Sequence, residues 1–179
     1  MCRDMDLDTK EFVQRILEEI QQCRNARNIT QKELAAQIGV VKPYYSQIEQ
    51  GVRPKLSFGR FMEIAIALHV PLYLLILKAE EKPETDCKFV DNDLSVDDIS
   101  KVHKYVNNYF KEKREEIGLS KRELADYINL EPISYKSIES NKIKNVGLYR
   151  YIELAKLYDI PLHEIIKEAE QHVLDCKAV

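Results

Sequence analysis

Residues 30–35 read Thr-Gln-Lys-Glu-Leu-Ala, and residues 120–125 read Ser-Lys-Arg-Glu-Leu-Ala. The two stretches lie 90 positions apart. The same spacing relates a further set of identical residues: Tyr45 and Tyr135, Ile48 and Ile138, Glu49 and Glu139, Ala65 and Ala155, Pro71 and Pro161, and Leu72 and Leu162. A repeat of fixed spacing decides the architecture before any local feature does. Two copies, each far longer than a solenoid unit, predict a duplicated small domain.

Helical periodicity dominates both copies. Phe12, Ile16 and Ile20 recur every four residues, which is typical of an amphipathic helix. No segment alternates with the period of two that a half-buried strand needs. The sequence therefore predicts an all-α protein of two tandem five-helix domains, over residues 9–80 and 99–172, joined by an acidic linker over 81–98.

The second helix of each copy has a sharp predicted start and end. Thr30 with Glu33, and Ser120 with Glu123, are spaced as capping boxes. The helix ends at Gly39 in copy one and at the equivalent residue, Asn129, in copy two. After the third helix, Gly51 and Asn141 form a second pair of this kind. Gly and Asn both adopt the left-handed conformation at low cost, so the copies predict the same backbone corners.

Composition narrows the class of protein. The chain of 179 residues is 45% apolar and 32% charged, which is ordinary for a globular protein. No run approaches the roughly 20 apolar residues of a membrane span, and the acidic start lacks the apolar core of a signal peptide. These features predict a cytoplasmic protein that does not enter a membrane. The net charge of −3 argues mildly against nucleic acid, but the acidic residues concentrate at the start and in the linker.

Chemistry-bearing residues are dispersed. The four cysteines stand far apart without metal-ligand spacing, so we expect free thiols and no metal site. The four histidines form no catalytic constellation, and no glycine-rich phosphate loop is present. We therefore expect no enzyme activity and no cofactor, and little sequence remains for an effector-sensing domain.

Copy one resembles a known family in several separate motifs. Gln31-Lys32-Glu33-Leu34-Ala35, Ile38-Gly39-Val40 and Tyr45-Ser46-Gln47-Ile48-Glu49-Gln50-Gly51 resemble the lambda-repressor/Cro-like, or Xre-type, helix-turn-helix family. The resemblance covers nearly all of copy one and most of copy two. It implies that the third helix enters the DNA major groove while the second crosses the backbone.

The resemblance assigns candidate DNA contacts to both copies. In copy one they are Gln31, Lys42, Tyr44, Ser46, Gln47, Arg53 and Lys55. In copy two they are Lys121, Ser134, Lys136, Ser137, Lys142 and Lys144. Gln47 can pair with adenine and Lys42 with guanine, whereas Arg53 and Lys55 can neutralise phosphates. We expect Tyr45 and Ile48 to be core residues, and Glu49 to be structural, as an ion-pair partner.

Copy two departs from this pattern on its recognition face. Gln31 and Gln47 are replaced by Lys121 and Ser137, and Glu131 adds a negative charge at the start of the third helix. Three roles are open for copy two: reading a different half-site, gripping the backbone without specificity, or serving only for dimerisation.

The predicted function is a sequence-specific transcriptional regulator of double-stranded DNA, acting as a repressor, with copy one as the main base reader. The two modules of one chain can cover adjacent half-sites. We also expect a homodimer, which would carry four modules. The alternative is a protein-interaction module, such as an antitoxin or a phage-encoded inhibitor, that holds a protein partner.

Overall fold

The computed structural model describes residues 5–81 and 93–178. Within those residues the chain forms ten α-helices and one short 3-10 helix, Val96–Asp98. The all-α prediction, with five helices in each copy, is confirmed. Copy one consists of α1 (Leu7–Ala26), α2 (Gln31–Gln37), α3 (Lys42–Glu49), α4 (Phe58–Ala67) and α5 (Leu72–Glu81). Copy two consists of α6 (Ile99–Glu116), α7 (Lys121–Tyr127), α8 (Pro132–Glu139), α9 (Leu148–Tyr158) and α10 (Leu162–Lys177).

The helices extend beyond the predicted domain limits at three points. Helix α1 begins two residues before position 9, α5 includes Glu81, and α10 continues five residues past position 172. Residues 82–92 of the predicted linker lie outside the described residues. The 3-10 helix occupies the end of the predicted linker and leads directly into α6.

Both predicted capping boxes are confirmed. The backbone N–H of Thr30 donates to the Glu33 carboxylate at 2.7 Å, and the N–H of Glu33 donates to the Thr30 hydroxyl at 3.2 Å. Ser120 and Glu123 repeat these bonds at 2.8 and 3.2 Å. Each box supplies partners for donors at the helix start, which fixes where the second helix begins.

Left-handed corners recur at the same places in both copies. Within the described residues, four pairs 90 positions apart have positive φ: Asn28 (55°) and Gly118 (71°), Gly39 (67°) and Asn129 (50°), Gly51 (70°) and Asn141 (58°), and His69 (50°) and Asp159 (54°). The middle two pairs were predicted. The other two were missed, the last because His and Asp are weak indicators of this conformation. Duplication has therefore retained the backbone path while the side chains changed.

The two copies pack on each other about a pseudo-twofold axis. Helix α5 packs on α10, α1 on α9, and α4 on α6, so each contact is matched by one that exchanges the copies. At the centre, Ser57 and Gly147 form an isolated antiparallel bridge. The N–H of Phe58 donates to the Val146 carbonyl at 2.7 Å, and the N–H of Leu148 donates to the Leu56 carbonyl at 3.1 Å. One chain is thus arranged like a two-subunit dimer with an isologous interface.

Two glutamates cap helices of the opposite copy. Glu80, at the end of α5, accepts from the backbone N–H of Leu162 at 3.0 Å. Glu170 on α10 accepts from the N–H of Leu72 at 3.0 Å and that of Tyr73 at 3.4 Å. Glu80 and Glu170 are themselves 90 positions apart. Each carboxylate supplies an acceptor to a helix N-terminus that its own copy leaves without one.

An aromatic cluster fills the centre of the interface. The Phe58 ring of copy one lies 5.7 Å from the His103 ring and 5.4 Å from the Tyr151 ring of copy two, measured between centroids. The Tyr151 hydroxyl donates to Asn107 at 2.5 Å, and the Asn107 amide donates to Asn141 at 2.8 Å. The buried apolar residues of both copies form one connected core. The two domains therefore share a core and are not independent units joined only by the linker.

Glu170 makes the stability of this interface depend on pH. Burial raises its pKa from the ordinary 4.5 to about 7, against the lowering effect of the two backbone hydrogen bonds. A raised folded-state pKa gives stability that is present below about pH 4.5 and is lost as the pH rises through 7. We expect the stability advantage of the wild type over Glu170→Gln to fall by about 3 kcal/mol between pH 4.5 and 8.

Urea unfolding of both proteins across this pH range measures the difference. Burial lowers the pKa of His103, which contributes the opposite trend below about pH 6.5. The wild type and Glu170→Gln share this contribution of His103, so it cancels in the difference between their free energies of unfolding. Parallel stability curves for the wild type and Glu170→Gln would show that Glu170 does not titrate in this way.

Candidate nucleic-acid interface

Helices α2 and α3 form a helix-turn-helix in copy one, and α7 and α8 form its counterpart in copy two. An arginine of the fourth helix holds each turn. Arg60 donates to the Ile38 carbonyl at 2.9 Å, and Arg150 donates to the Ile128 carbonyl at 2.7 Å. These carbonyls belong to the end of the second helix, where no intrahelical donor remains. The fourth helix thereby fixes the turn that leads to the third.

A buried ion pair fixes the third helix of copy one. The Arg24 guanidinium of α1 binds the Glu49 carboxylate with its Nε at 2.6 Å and its Nη2 at 3.1 Å. Arg24 also donates to the Ile29 carbonyl at 2.7 Å, and Gln31 of α2 donates to Glu49 at 2.7 Å. The pair is bidentate and joins α1, α2 and the end of α3. The prediction that Glu49 is a structural ion-pair residue is confirmed.

Copy two repeats the ion pair with one substitution. Arg114 binds Glu139 at 2.7 and 3.2 Å and donates to the Leu119 carbonyl at 2.7 Å. Lys121, the counterpart of Gln31, approaches Glu139 at 3.3 Å. The predicted core residues of the third helices are buried in both copies: Tyr45, Ile48, Tyr135 and Ile138. Both third helices are therefore held by the same scaffold.

The electrostatics of the pair keep both groups charged. Hydrogen bonding to Glu49 raises the pKa of Arg24 above its ordinary value. Burial favours the protonated form of Glu49, but hydrogen bonds from Arg24 and Gln31 outweigh it and lower the pKa of that carboxyl. Burial, with the neighbouring Glu49 carboxylate, raises the pKa of Tyr45. The ion pair is thus permanent near neutral pH.

The exposed side of α3 carries the predicted reading residues of copy one. Lys42 is exposed, and Ser46 and Gln47 are half-buried beside it. The Gln47 carboxamide oxygen accepts from Arg53 Nε at 3.0 Å. The same Arg53 guanidinium lies 4.5 Å from the centroid of the Tyr44 ring. Arg53 thus positions Gln47, whose oxygen keeps a second lone pair for a base.

Gln31 has a structural partner in addition to its predicted contact with DNA. Its amide nitrogen donates to Glu49, so the side chain helps to fix α2 against α3. Contact of Gln31 with DNA stays a prediction, as it does for every other residue assigned to the interface.

The recognition face of copy two differs in chemistry from that of copy one. Lys136 is exposed, Ser134 is half-buried, and the Ser137 hydroxyl donates to the Ile133 carbonyl at 2.8 Å. Glu131 is exposed at the N-cap of α8 without a side-chain capping bond. Copy two therefore presents fewer polar groups free for bases.

The basic loops after the third helices lead into the Ser57–Gly147 bridge between the copies. Exposed Arg53 and Lys55 precede the paired residue Ser57, and exposed Lys142 and Lys144 precede its partner Gly147. The exposed cations of both loops therefore lie within five residues of the bridge that joins the two copies.

The sequence did not lead us to four arginines, of which Arg24, Arg114 and Arg150 are buried and Arg60 is half-buried. Arg24 and Arg114 carry the ion pairs, and Arg60 and Arg150 hold the turns. Each pair is identical at a spacing of 90. The presence of an arginine at the same position in both copies was the available indication of a structural role. Charged side chains at the surface seldom need to be identical in two copies of a domain.

Comparison with known families gives the class of this protein. A family model described as helix-turn-helix matches the chain twice, over residues 20–75 and 110–165. The limits of the two matches differ by 90 residues at each end, the spacing found in the sequence. The chain belongs to the Xre or lambda-repressor-like helix-turn-helix family, in two tandem copies. A search of curated proteins and a search of solved structures each found no match.

Within the described part of the chain, no single helix is long and apolar enough to cross a membrane, and only α4 with α5, bent by 106°, passes as a pair on length and composition. Across residues 5–81 and 93–178, no group of three or more His, Cys, Asp or Glu side chains is placed to hold a metal ion.

Proposed function

We propose that the protein is a sequence-specific regulator of transcription that binds double-stranded DNA and acts as a repressor. The family places it among DNA-binding helix-turn-helix proteins. The observation that supports the finer proposal most is the pseudo-twofold packing of two such units within one chain. Paired helix-turn-helix units bind two half-sites about one DNA turn apart. A repressor can act by blocking a promoter sterically, and this mode of action requires no interaction other than DNA binding.

The connection between each recognition helix and the axis is compatible with that spacing. Eight residue steps separate Glu49, the last residue of α3, from Ser57 at the axis. A chain extends at most about 3.6 Å per residue, which allows up to about 29 Å on each side. This upper limit is compatible with the roughly 34–36 Å that adjacent major grooves demand.

The internal pairing also bears on the predicted homodimer. Helices α5 and α10 and the Ser57–Gly147 bridge already pair the copies within one chain. We therefore propose that a single chain, and not a homodimer, occupies one operator. Copy one is proposed as the main base reader, because Gln47 and Lys42 lie on its exposed face.

Selection of binding sites from random duplexes, followed by titration at several salt concentrations, tests the function. Each neutralised phosphate steepens the slope of log K against log salt by about 0.9. Four loop cations and Lys42 predict a clearly negative slope. A slope near zero, or stoichiometric capture of a protein partner by a chain that ignores DNA, would favour the protein-interaction alternative.

Gln47→Ala tests the assignment of the reading residue. We expect it to relax base preference at one position of the copy-one half-site, at a cost of about 1–3 kcal/mol against the preferred base. Gln50→Ala is the matched control, because Gln50 is exposed at the end of the same helix and, among the described residues, its side chain bonds only to the Ser46 hydroxyl. An equal loss of affinity for every sequence would show that Gln47 does not read a base.

A further inference from the structure

Copy two exposes an isoleucine on its recognition helix. Of the described residues, Ile133 is the most exposed large apolar side chain, with 75% of its surface accessible. It is the second residue of α8 and follows Pro132. Its counterpart in copy one is Pro43, and the exposed apolar residue at the start of α3 is instead Val41, at the N-cap.

The position of Ile133 places it where a recognition helix meets DNA bases. The N-terminal residues of such a helix contact base edges in the major groove. A β-branched side chain is stiff, so little rotamer freedom is lost on contact. Nothing in the fold requires an isoleucine here, since its side chain is outside the core.

The polar groups beside Ile133 are less available for reading. The Ser137 hydroxyl is bonded to the Ile133 carbonyl at 2.8 Å, and Ser134 is half-buried. In copy one the equivalent positions carry Gln47 and Tyr44. Ile133 is thus the exposed apolar group at the start of this recognition helix, beside the exposed Glu131 and Lys136.

Major-groove chemistry identifies what such a side chain can recognise. The major-groove edges of the bases carry hydrogen-bond donors and acceptors, and thymine adds the one apolar group, its C5 methyl. We propose that copy two reads a second half-site, unlike that of copy one, in which Ile133 packs on the methyl group of a thymine. This proposal rests on the DNA-binding function proposed above, and it makes the operator asymmetric.

Replacing thymine by deoxyuridine, one position at a time, tests the contact without altering base pairing. Burial of one methyl group corresponds to a factor of about three to five in affinity. We expect the wild type to lose that factor at one or two thymines of the copy-two half-site. Ile133→Ala should bind the thymine duplex more weakly by a similar factor and become insensitive to deoxyuridine at those positions.

Ile117→Ala is the control variant, because Ile117 is also an exposed isoleucine of copy two but lies at the end of α6. It should keep the wild-type sensitivity to deoxyuridine. The proposal is overturned if wild type and Ile133→Ala respond equally to the scan, or if no thymine methyl of that half-site matters. In both cases DNA binding itself would stand. Failure to bind any duplex would overturn the DNA-binding function as well.

Discussion

Glu49→Ala should lower the free energy of unfolding by about 3–5 kcal/mol. The side chain of Glu49 is 1% exposed and that of Arg24 is 9% exposed, so the substitution leaves a buried guanidinium without its counterion. Gln31 loses its acceptor at the same time. Because the pair joins α1, α2 and α3, the recognition helix should loosen and DNA affinity should fall with stability. Urea unfolding and operator binding measure the two effects.

Controls separate the buried charge from the side chain itself. Gln50→Ala, at the exposed neighbouring position, should change stability by less than about 0.5 kcal/mol. The double variant Arg24→Met, Glu49→Leu should recover part of the loss, because no charge is left buried. Glu139→Ala should match Glu49→Ala, since copy two repeats the pair. A loss below 1 kcal/mol for Glu49→Ala would show that the ion pair does not hold the helix.

Phe58→Ala should lower the free energy of unfolding by about as much as Glu49→Ala, but it should also change the number of unfolding transitions. Phe58 is fully buried, and its ring meets His103 and Tyr151 of the other copy. Removal of a buried phenylalanine costs about 3–5 kcal/mol. Because the lost contacts cross between copies, unfolding should separate into two transitions where the wild type shows one.

Calorimetry with two spectroscopic probes distinguishes these cases. Leu34→Ala is the control, since Leu34 is fully buried in α2 within the helix-turn-helix of copy one. It should lower stability while leaving the two copies coupled. One coincident transition in Phe58→Ala, at reduced stability, would mean that Phe58 does not couple the copies.

Local features of the fold were predictable because short-range chemistry determines them. Thr30 with Glu33 specifies a helix start, and the exchange of Gly39 for Asn129 specifies a left-handed corner. Because the sequence repeats, each of these patterns occurs in both copies and supports the same prediction twice. The corner at His69 was missed because residue type there reports the conformation poorly, although φ is positive.

The packing of the two copies was not predictable in the same way. Glu80 and Glu170 repeat at a spacing of 90, yet no local pattern says that each caps a helix of the opposite copy. Interfaces depend on which surfaces meet, and a long linker leaves that choice open in the sequence. The homodimer expected from the sequence stays a prediction, because the packing inside one chain does not test it.

The sequence predicted which residues form the candidate site, but it did not predict which of their side chains contact one another. The exposed location of Lys42 followed from the helix pattern. The support given to Gln47 by Arg53 did not, because Arg53 lies in an irregular loop. Ile133 was passed over because apolar residues on a helix are usually assigned to the core, and here the side chain faces solvent.

The number of chains bound to one operator tests the central claim most directly. Sedimentation or native mass measurement of the protein, alone and with a selected operator duplex, gives this number. We predict a free mass near the 21.0 kDa of one chain, and a complex of one chain with one duplex protected over two half-sites. Two chains on each duplex, or a stable free dimer that alone binds DNA, would contradict the proposal that the two copies of one chain form the complete reading unit.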